Sequence, residues 1–146
     1  VQDAARVNDV VVMAAAVADY RPAAVGDHKM KKDGERGLTL TLEQTPDILA
    51  GLVRGRRDGQ VIVGFAAETG DAERSALEHA RAKARRKGAD ILVFNDVSGD
   101  RGFGDVPNEV VLLDSEGGET GRAAGSKDEV AAAVVEAIAR HCGWRP

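Results

Sequence analysis

Two lysines in the middle of the chain stand where lysines are costly. Residues 72–87 read as a helix, and at 100° per residue Ala72, Ala76, Leu77, Ala80 and Ala84 form its apolar stripe. Arg74, Glu78, Arg81 and Arg85 fall on the opposite side, as solvated charges do. Lys83 lies two turns beyond Ala76, close to the stripe, and Lys87, one turn further, falls inside it. An ammonium on that side needs an anionic partner or a route out to water. One reading is a polyanion, such as a triphosphate, held by paired ammonium groups. The other is snorkelling near the helix end, where positive charge suits the dipole.

Three apolar runs end in small residues and a carboxylate or amide. They close at residues 15–20 (AAVADY, with Asp19), 66–69 (AAET, with Glu68) and 95–97 (NDV, with Asp96). In open α/β sheets, ligands bind beyond the carboxyl ends of the strands. Three such endings in register would make one crowded polar site; the alternative is that each carboxylate opens a loop or caps a helix. A basic cluster, His28-Lys29-Met30-Lys31-Lys32, follows Arg21-Pro22 and reads on composition as a solvated loop. There is no G-x-x-x-x-G-K-[ST] and no G-x-G-x-x-G, and no Ser/His/Asp or Cys/His nucleophile stands out. Cys142, near the end, reads as a bystander.

These side chains need elements to position them. Residues 9–16 (DVVVMAAA), 60–67 (QVIVGFAA) and 89–94 (ADILVF) are short runs without alternation, as in strands covered on both faces of a parallel sheet. Thr45-Pro46-Asp47 is a helix start, with Thr45 as N-cap and Pro46 in the first turn, leading through residues 48–53 towards Gly55. The helix at 72–87 stops at Gly88. A further helix spans 127–141, with Val130, Val134, Ala137 and Ile138 on one face. Residues 38–42 (LTLTL) alternate like a half-exposed strand. Residues 109–113 (EVVLL) lead into a hairpin-like turn at 114–118, while 99–104 and 117–125 read as flexible loops. A βαβ series of this kind predicts a doubly wound α/β fold in one domain, without internal repeats or dividing linkers.

The 146 residues carry 43% hydrophobic and 30% charged side chains, which excludes a disordered tail. The longest uncharged apolar run, residues 10–18, is short of the ~20 needed to span a membrane. The polar opening VQDAAR has no signal-peptide pattern. One cysteine allows no intrachain disulfide, so a reducing cytoplasm is the expected location, and three scattered histidines exclude a Cys/His zinc cluster. The net charge of −4 argues against non-specific nucleic-acid binding.

Taken together, the segments 13–22 (MAAAVADYRP), 29–32 (KMKK), 45–48 (TPDI), 63–69 (VGFAAET), 95–97 (NDV) and 108–110 (NEV) resemble phosphopantothenate–cysteine ligase over essentially the whole chain. In bacteria that ligase is usually the C-terminal half of a bifunctional coenzyme A biosynthesis protein, whose other half is an FMN-dependent decarboxylase not represented here. The resemblance implies a Rossmann-like, mainly parallel sheet with a small antiparallel dimerisation extension. It implies formation of an acyl-cytidylate from CTP and 4′-phosphopantothenate with magnesium, and displacement of CMP by the amine of cysteine.

By the same resemblance Met13, Ala14 and Ala15 match the strand end along which the nucleotide lies, and Asp19 a nucleotide-contacting carboxylate. Lys29 matches the essential lysine, on a flap that reaches the partner subunit's site of a homodimer. Pro46, Asp47, Ile48 and Leu49 match a helix start set against the nucleotide, and Phe65 a further nucleotide contact. Lys83 and Lys87 match the two lysines that hold the phosphates. Residues 109–113, with the flap, resemble the pairing region. The resemblance assigns no metal ligands. The family begins with a strand, a glycine-rich turn and an Asn-Arg-Ser-Ser-Gly-like segment that this sequence lacks, so the expectation is an N-terminally incomplete ligase domain. The alternatives are a nucleotide-binding and dimerisation fragment without turnover and, weakly, a nicotinamide-dependent oxidoreductase lacking its glycine fingerprint.

Overall fold

The computed structural model describes residues 1–26, 28, 37–97 and 108–144. The chain divides into two compact units, Val1–Ala15 with Ile48–Pro146, and Ala16–Asp47. The larger holds a five-stranded sheet built from β1 (Val10–Met13), β4 (Val61–Glu68), β5 (Ile91–Asp96), β6 (Asn108–Leu113) and β7 (Glu119–Gly125), in the order β1-β4-β5-β6-β7. It also holds the helices α1 (Gln2–Ala5), α2 (Ile48–Arg54), α3 (Ala76–Lys87) and α4 (Lys127–His141). β1, β4 and β5 pair in parallel, and β6 is antiparallel to both β5 and β7. Four of the five strands therefore run the same way, as the α/β reading expects.

Period-two alternation gives the sheet two buried faces. On one, Val61, Val63, Ile91, Val93, Val110 and Leu112 meet Val130, Val134 and Ile138 of α4. On the other, Leu92, Phe94, Val111 and Leu113 meet Ala76, Ala80 and Ala84 of α3. Ile62 on that same face packs with Leu52 of α2 and with Ala5. The non-alternating runs of β4 and β5 follow from this two-sided cover. β1, at the sheet edge, departs from it: Val12 is 47% exposed, and the strand ends at Met13, short of Ala16.

Local chemistry moved several other boundaries. α3 starts at Ala76, not Ala72, because Ser75 and Glu78 form a reciprocal capping box. Just before it, the Asp71 carboxylate accepts from the backbone N–H of Glu73 and Arg74, holding those residues in a turn. Gly88 ends the helix at φ 67°, a left-handed conformation suited to glycine. α4 keeps its expected bounds, with a second capping box from Ser126 and Glu129. Thr45 does not cap α2; its hydroxyl donates to the Ala18 carbonyl (2.5 Å), and α2 begins after Asp47. Residues 119–125, expected as loop, form β7, because pairing with β6 overrides a glycine-rich composition. The loop expected at 99–104 lies outside the described residues.

The smaller unit is a two-stranded antiparallel ribbon of β2 (Tyr20–Pro22) and β3 (Leu42–Gln44). The strand expected at 38–42 shifts to Leu42–Gln44, because its partner offers only Tyr20 to Pro22 for pairing. Arg21 and Glu43, opposite one another, are joined at 2.7 Å.

Candidate functional site

A step in the sheet marks the candidate site. β1 pairs with β4 only as far as Met13 and Gly64, while β4 runs on to Glu68 beside β5. Among the described residues, no strand pairs with Phe65–Glu68 on the β1 side. Ala14 and Ala15 leave β1 at this step and are exposed. The ledge is lined by small residues and by Phe65, a ring left 39% exposed on a strand that is otherwise largely buried. Leu49, in the first turn of α2, presses on Gly64 from the sheet face opposite Phe65: a Cβ added at Gly64 would lie 2.6 Å from Leu49 Cδ2. Glycine at 64 is what lets α2 sit this close.

Glu68 and Asp96 are register neighbours at the carboxyl ends of β4 and β5, and Val97 N–H donates to the Glu68 carbonyl at 3.2 Å. By alternation Glu68 lies on the α3 face, with Ala66, whereas Phe65 lies on the α4 face, with Val63. Lys83 answers the question its position raised. Its Nζ donates to Glu68 Oε1 at 2.5 Å, with the two side chains 28% and 24% exposed. The lysine beside the alanine stripe thus has an anionic partner at the strand end. Lys87, one turn on, is half-buried. A ligand that touched both Phe65 and Lys83 would lie across the edge of the sheet.

The turn between β4 and α3 is pinned beside this edge. Asp71 Oδ2 is 2.8 Å from His79 Nε2. The backbone N–H groups of Glu73 and Arg74, and then His79, hold the Asp71 carboxyl below its ordinary range. Neither this pair nor the Glu68–Lys83 pair was assigned a role from sequence. The first carries no recognisable spacing; the second was signalled by a sheet-side lysine, without its partner being identifiable.

Of the residues expected at a nucleotide site, Met13, Ala14, Ala15, Ile48, Leu49, Phe65, Lys83 and Lys87 all belong to the larger unit. Met13 meets Gly64 in register and Leu49 packs on Gly64, so these two flank the step directly. The Leu49 side chain is committed to the core, where it packs against both clusters on its sheet face. Asp19, Pro46 and Asp47 belong to the smaller unit and are exposed. Within that unit the Asp19 carbonyl accepts from Thr45 N–H at 2.8 Å. Lys29 lies outside the described residues.

A bowl of about 860 Å³ opens at the opposite, amino edge of the sheet. Three arginines line it, but so do three aspartates, and Arg56–Asp90 (2.7 Å) and Arg57–Asp9 (3.1 Å) are already paired. Its charge is balanced, and it lies away from the strand ends where parallel sheets bind ligands. Among the described residues no group of three or more His, Cys, Asp or Glu could hold a metal ion, and no helix is long and apolar enough to cross a membrane.

Comparison with known proteins agrees with this architecture. A family model described as the DNA/pantothenate metabolism flavoprotein C-terminal domain matches residues 1–142. The coenzyme A biosynthesis bifunctional protein CoaBC of Mycobacterium tuberculosis is 52% identical over 135 residues, covering 89% of this chain and 32% of that protein. The protein of the same name from Bacillus subtilis is 41% identical over 133 residues, covering 90% and 31%. The chain thus spans about a third of the length of these relatives. A crystal structure of the DNA/pantothenate metabolism flavoprotein from Streptococcus pneumoniae superposes with a TM-score of 0.66 at 20% identity, over 94% of this chain and 63% of that one. At that identity, the likeness is one of fold.

Proposed function

Because the chain belongs to the DNA/pantothenate metabolism flavoprotein C-terminal domain family, we propose that it is the CTP-binding part of a phosphopantothenate–cysteine ligase acting in coenzyme A biosynthesis. In this reading the carboxylate of 4′-phosphopantothenate attacks the α-phosphate of CTP, releasing pyrophosphate and forming an acyl-cytidylate. The amine of cysteine then attacks the acyl carbon, and CMP leaves. A carboxylate is a poor acyl donor until its oxygen becomes part of a phosphate leaving group, so the site must stabilise charge gathering on phosphate.

One observation carries the reading: a half-buried ammonium, Lys83, fixed at the carboxyl end of β4 beside an open step that bares Phe65. The nucleotide lies along Met13, Ala14 and Ala15, its base or ribose meets Phe65, and Lys83 and Lys87 hold the phosphates. The start of α2 at Ile48 and Leu49 flanks it. Lys29 acts from the flap of the partner subunit of a homodimer, as the catalytic lysine. Magnesium supplies charge neutralisation of the triphosphate. An ion carried mainly by phosphates, with few protein carboxylates, suits a described surface without a clustered donor set. In a longer protein like the relatives, a decarboxylase domain would be the covalent neighbour.

Titration calorimetry of CTP against Lys83→Ala and Lys87→Ala tests the phosphate assignment. Each variant is expected to weaken binding at least tenfold, the scale of a lost charge-assisted hydrogen bond. Unchanged affinity in both would refute it. The second reading is a nucleotide-binding and dimerisation fragment of that domain without turnover. Pyrophosphate release with 4′-phosphopantothenate, cysteine and magnesium separates the two: release at an ordinary enzymatic rate excludes the fragment reading.

A further inference from the structure

We infer that Glu68 is a positioning residue for the nucleotide phosphates, acting through Lys83. The inference rests on the ligase reading above and gives a role to Glu68, which the sequence placed at a candidate polar strand end without one.

The ion pair is anchored at both ends. Glu68 is the last residue of β4, in register with Asp96, and its carbonyl is held by Val97 N–H at 3.2 Å. Lys83 stands on α3 between Ala80 and Ala84, both fully buried against the sheet. A contact made mainly by Ala76, Ala80 and Ala84 brings the helix axis close to the strands and leaves the helix little freedom to slide. A lysine on such a helix has a flexible stem with several rotamers. Without a partner its ammonium would search outwards for water. Held by Glu68 at 2.5 Å, it stays at the strand end.

An ammonium has three N–H donors. Among the described residues Glu68 accepts one of them, so the geometry leaves donors for an incoming phosphate without breaking the pair. Two effects then oppose one another. Removing Glu68 releases Lys83 from its orientation, which weakens phosphate binding. It also removes a negative charge from beside the phosphates, which strengthens binding. The pair is only about a quarter exposed and both backbones are fixed, so orientation is the larger effect here.

The test is a double-mutant cycle read by CTP calorimetry on the purified chain. Glu68→Ala is expected to weaken CTP about tenfold, and Lys83→Ala at least as much. The double variant should bind no more weakly than Lys83→Ala alone, since the orienting role of Glu68 needs that lysine and the loss of its charge only favours the phosphates. Glu68→Gln keeps an acceptor oxygen and should recover most of the affinity. It also carries the cycle if Glu68→Ala proves unstable. Cytidine, which lacks phosphates, should bind the wild type and Glu68→Ala alike, whereas a general structural loss would weaken both ligands. Additive losses in the double variant, or tighter or unchanged CTP binding in Glu68→Ala, would overturn the inference and leave the ligase reading standing. Unchanged binding in Lys83→Ala would instead remove Lys83 from the phosphate site, and the inference with it, while the phosphate assignment as a whole falls only if Lys87→Ala is unchanged too.

Discussion

Gly64→Ala should disturb the site through packing alone. The added Cβ would lie 2.6 Å from Leu49 Cδ2, 3.3 Å from Leu49 Cδ1 and 3.2 Å from Leu92 Cδ1. Carbon pairs sit best at about 3.5–4.0 Å, so the worst overlap is about 1 Å. Leu92 is fully buried and cannot yield. Leu49 is half-buried at the start of α2, so it must change rotamer or carry the helix start outwards. Overpacking of this kind costs about 1–3 kcal/mol. Alanine recovers about 0.5–1 kcal/mol of backbone entropy relative to glycine in a strand. At the middle of both ranges the net loss is about 1 kcal/mol, or roughly 3–4 °C in Tm for a chain of this size. Urea and thermal unfolding read it directly. Leu49→Ala should cost less in a chain already carrying Gly64→Ala than in the wild type, because the new methyl fills part of the space vacated. A coupling of about 1 kcal/mol is expected between touching residues. A wild-type Tm for Gly64→Ala, or strict additivity in the double variant, would refute this account of why glycine stands there.

Other expectations follow from single contacts. Ser75→Ala and Ser126→Ala should each lower stability by about 1 kcal/mol, seen in urea melts, by removing the N-cap oxygen. The Glu78 and Glu129 carboxyls are held below their ordinary value of 4.5 by the backbone N–H groups of Ser75 and Ser126. A depressed folded value means a contribution present above the ordinary value and lost as pH falls through the lowered one. Helical ellipticity should therefore hold at neutral pH and decline as pH falls below the ordinary value of 4.5, with a stronger pH dependence in the wild type than in variants lacking these carboxylates, which are without this contribution at any pH. Asp90 accepts from Ile62 N–H (2.8 Å) and pairs with Arg56 (2.7 Å). Asp90→Ala strands a buried backbone donor and should cost about 1–3 kcal/mol in denaturant unfolding. Arg56→Ala, at a side chain 39% exposed, should cost under about 1 kcal/mol.

Sequence alone determined the elements whose signal is local. The apolar runs of β4 and β5, the face of α4 and the glycine that ends α3 are properties of neighbouring residues, and they stand where periodicity put them. The carboxyl ends of those strands were legible as a candidate site because strand direction in a βαβ series fixes which ends come together. Lys83 was legible as an anomaly, because a helix wheel shows which side a lysine occupies. What the wheel does not show is the partner. That Glu68 receives Lys83 depends on where β4 ends and how closely an alanine-striped helix lies on the sheet. The same holds for Phe65, whose exposure follows from β1 stopping at Met13, and for β7, whose glycine-rich residues become a strand only against β6. Local propensity acts over a turn or a strand length; register, edges and ion pairs between elements are settled by packing, and only the tertiary structure decided them.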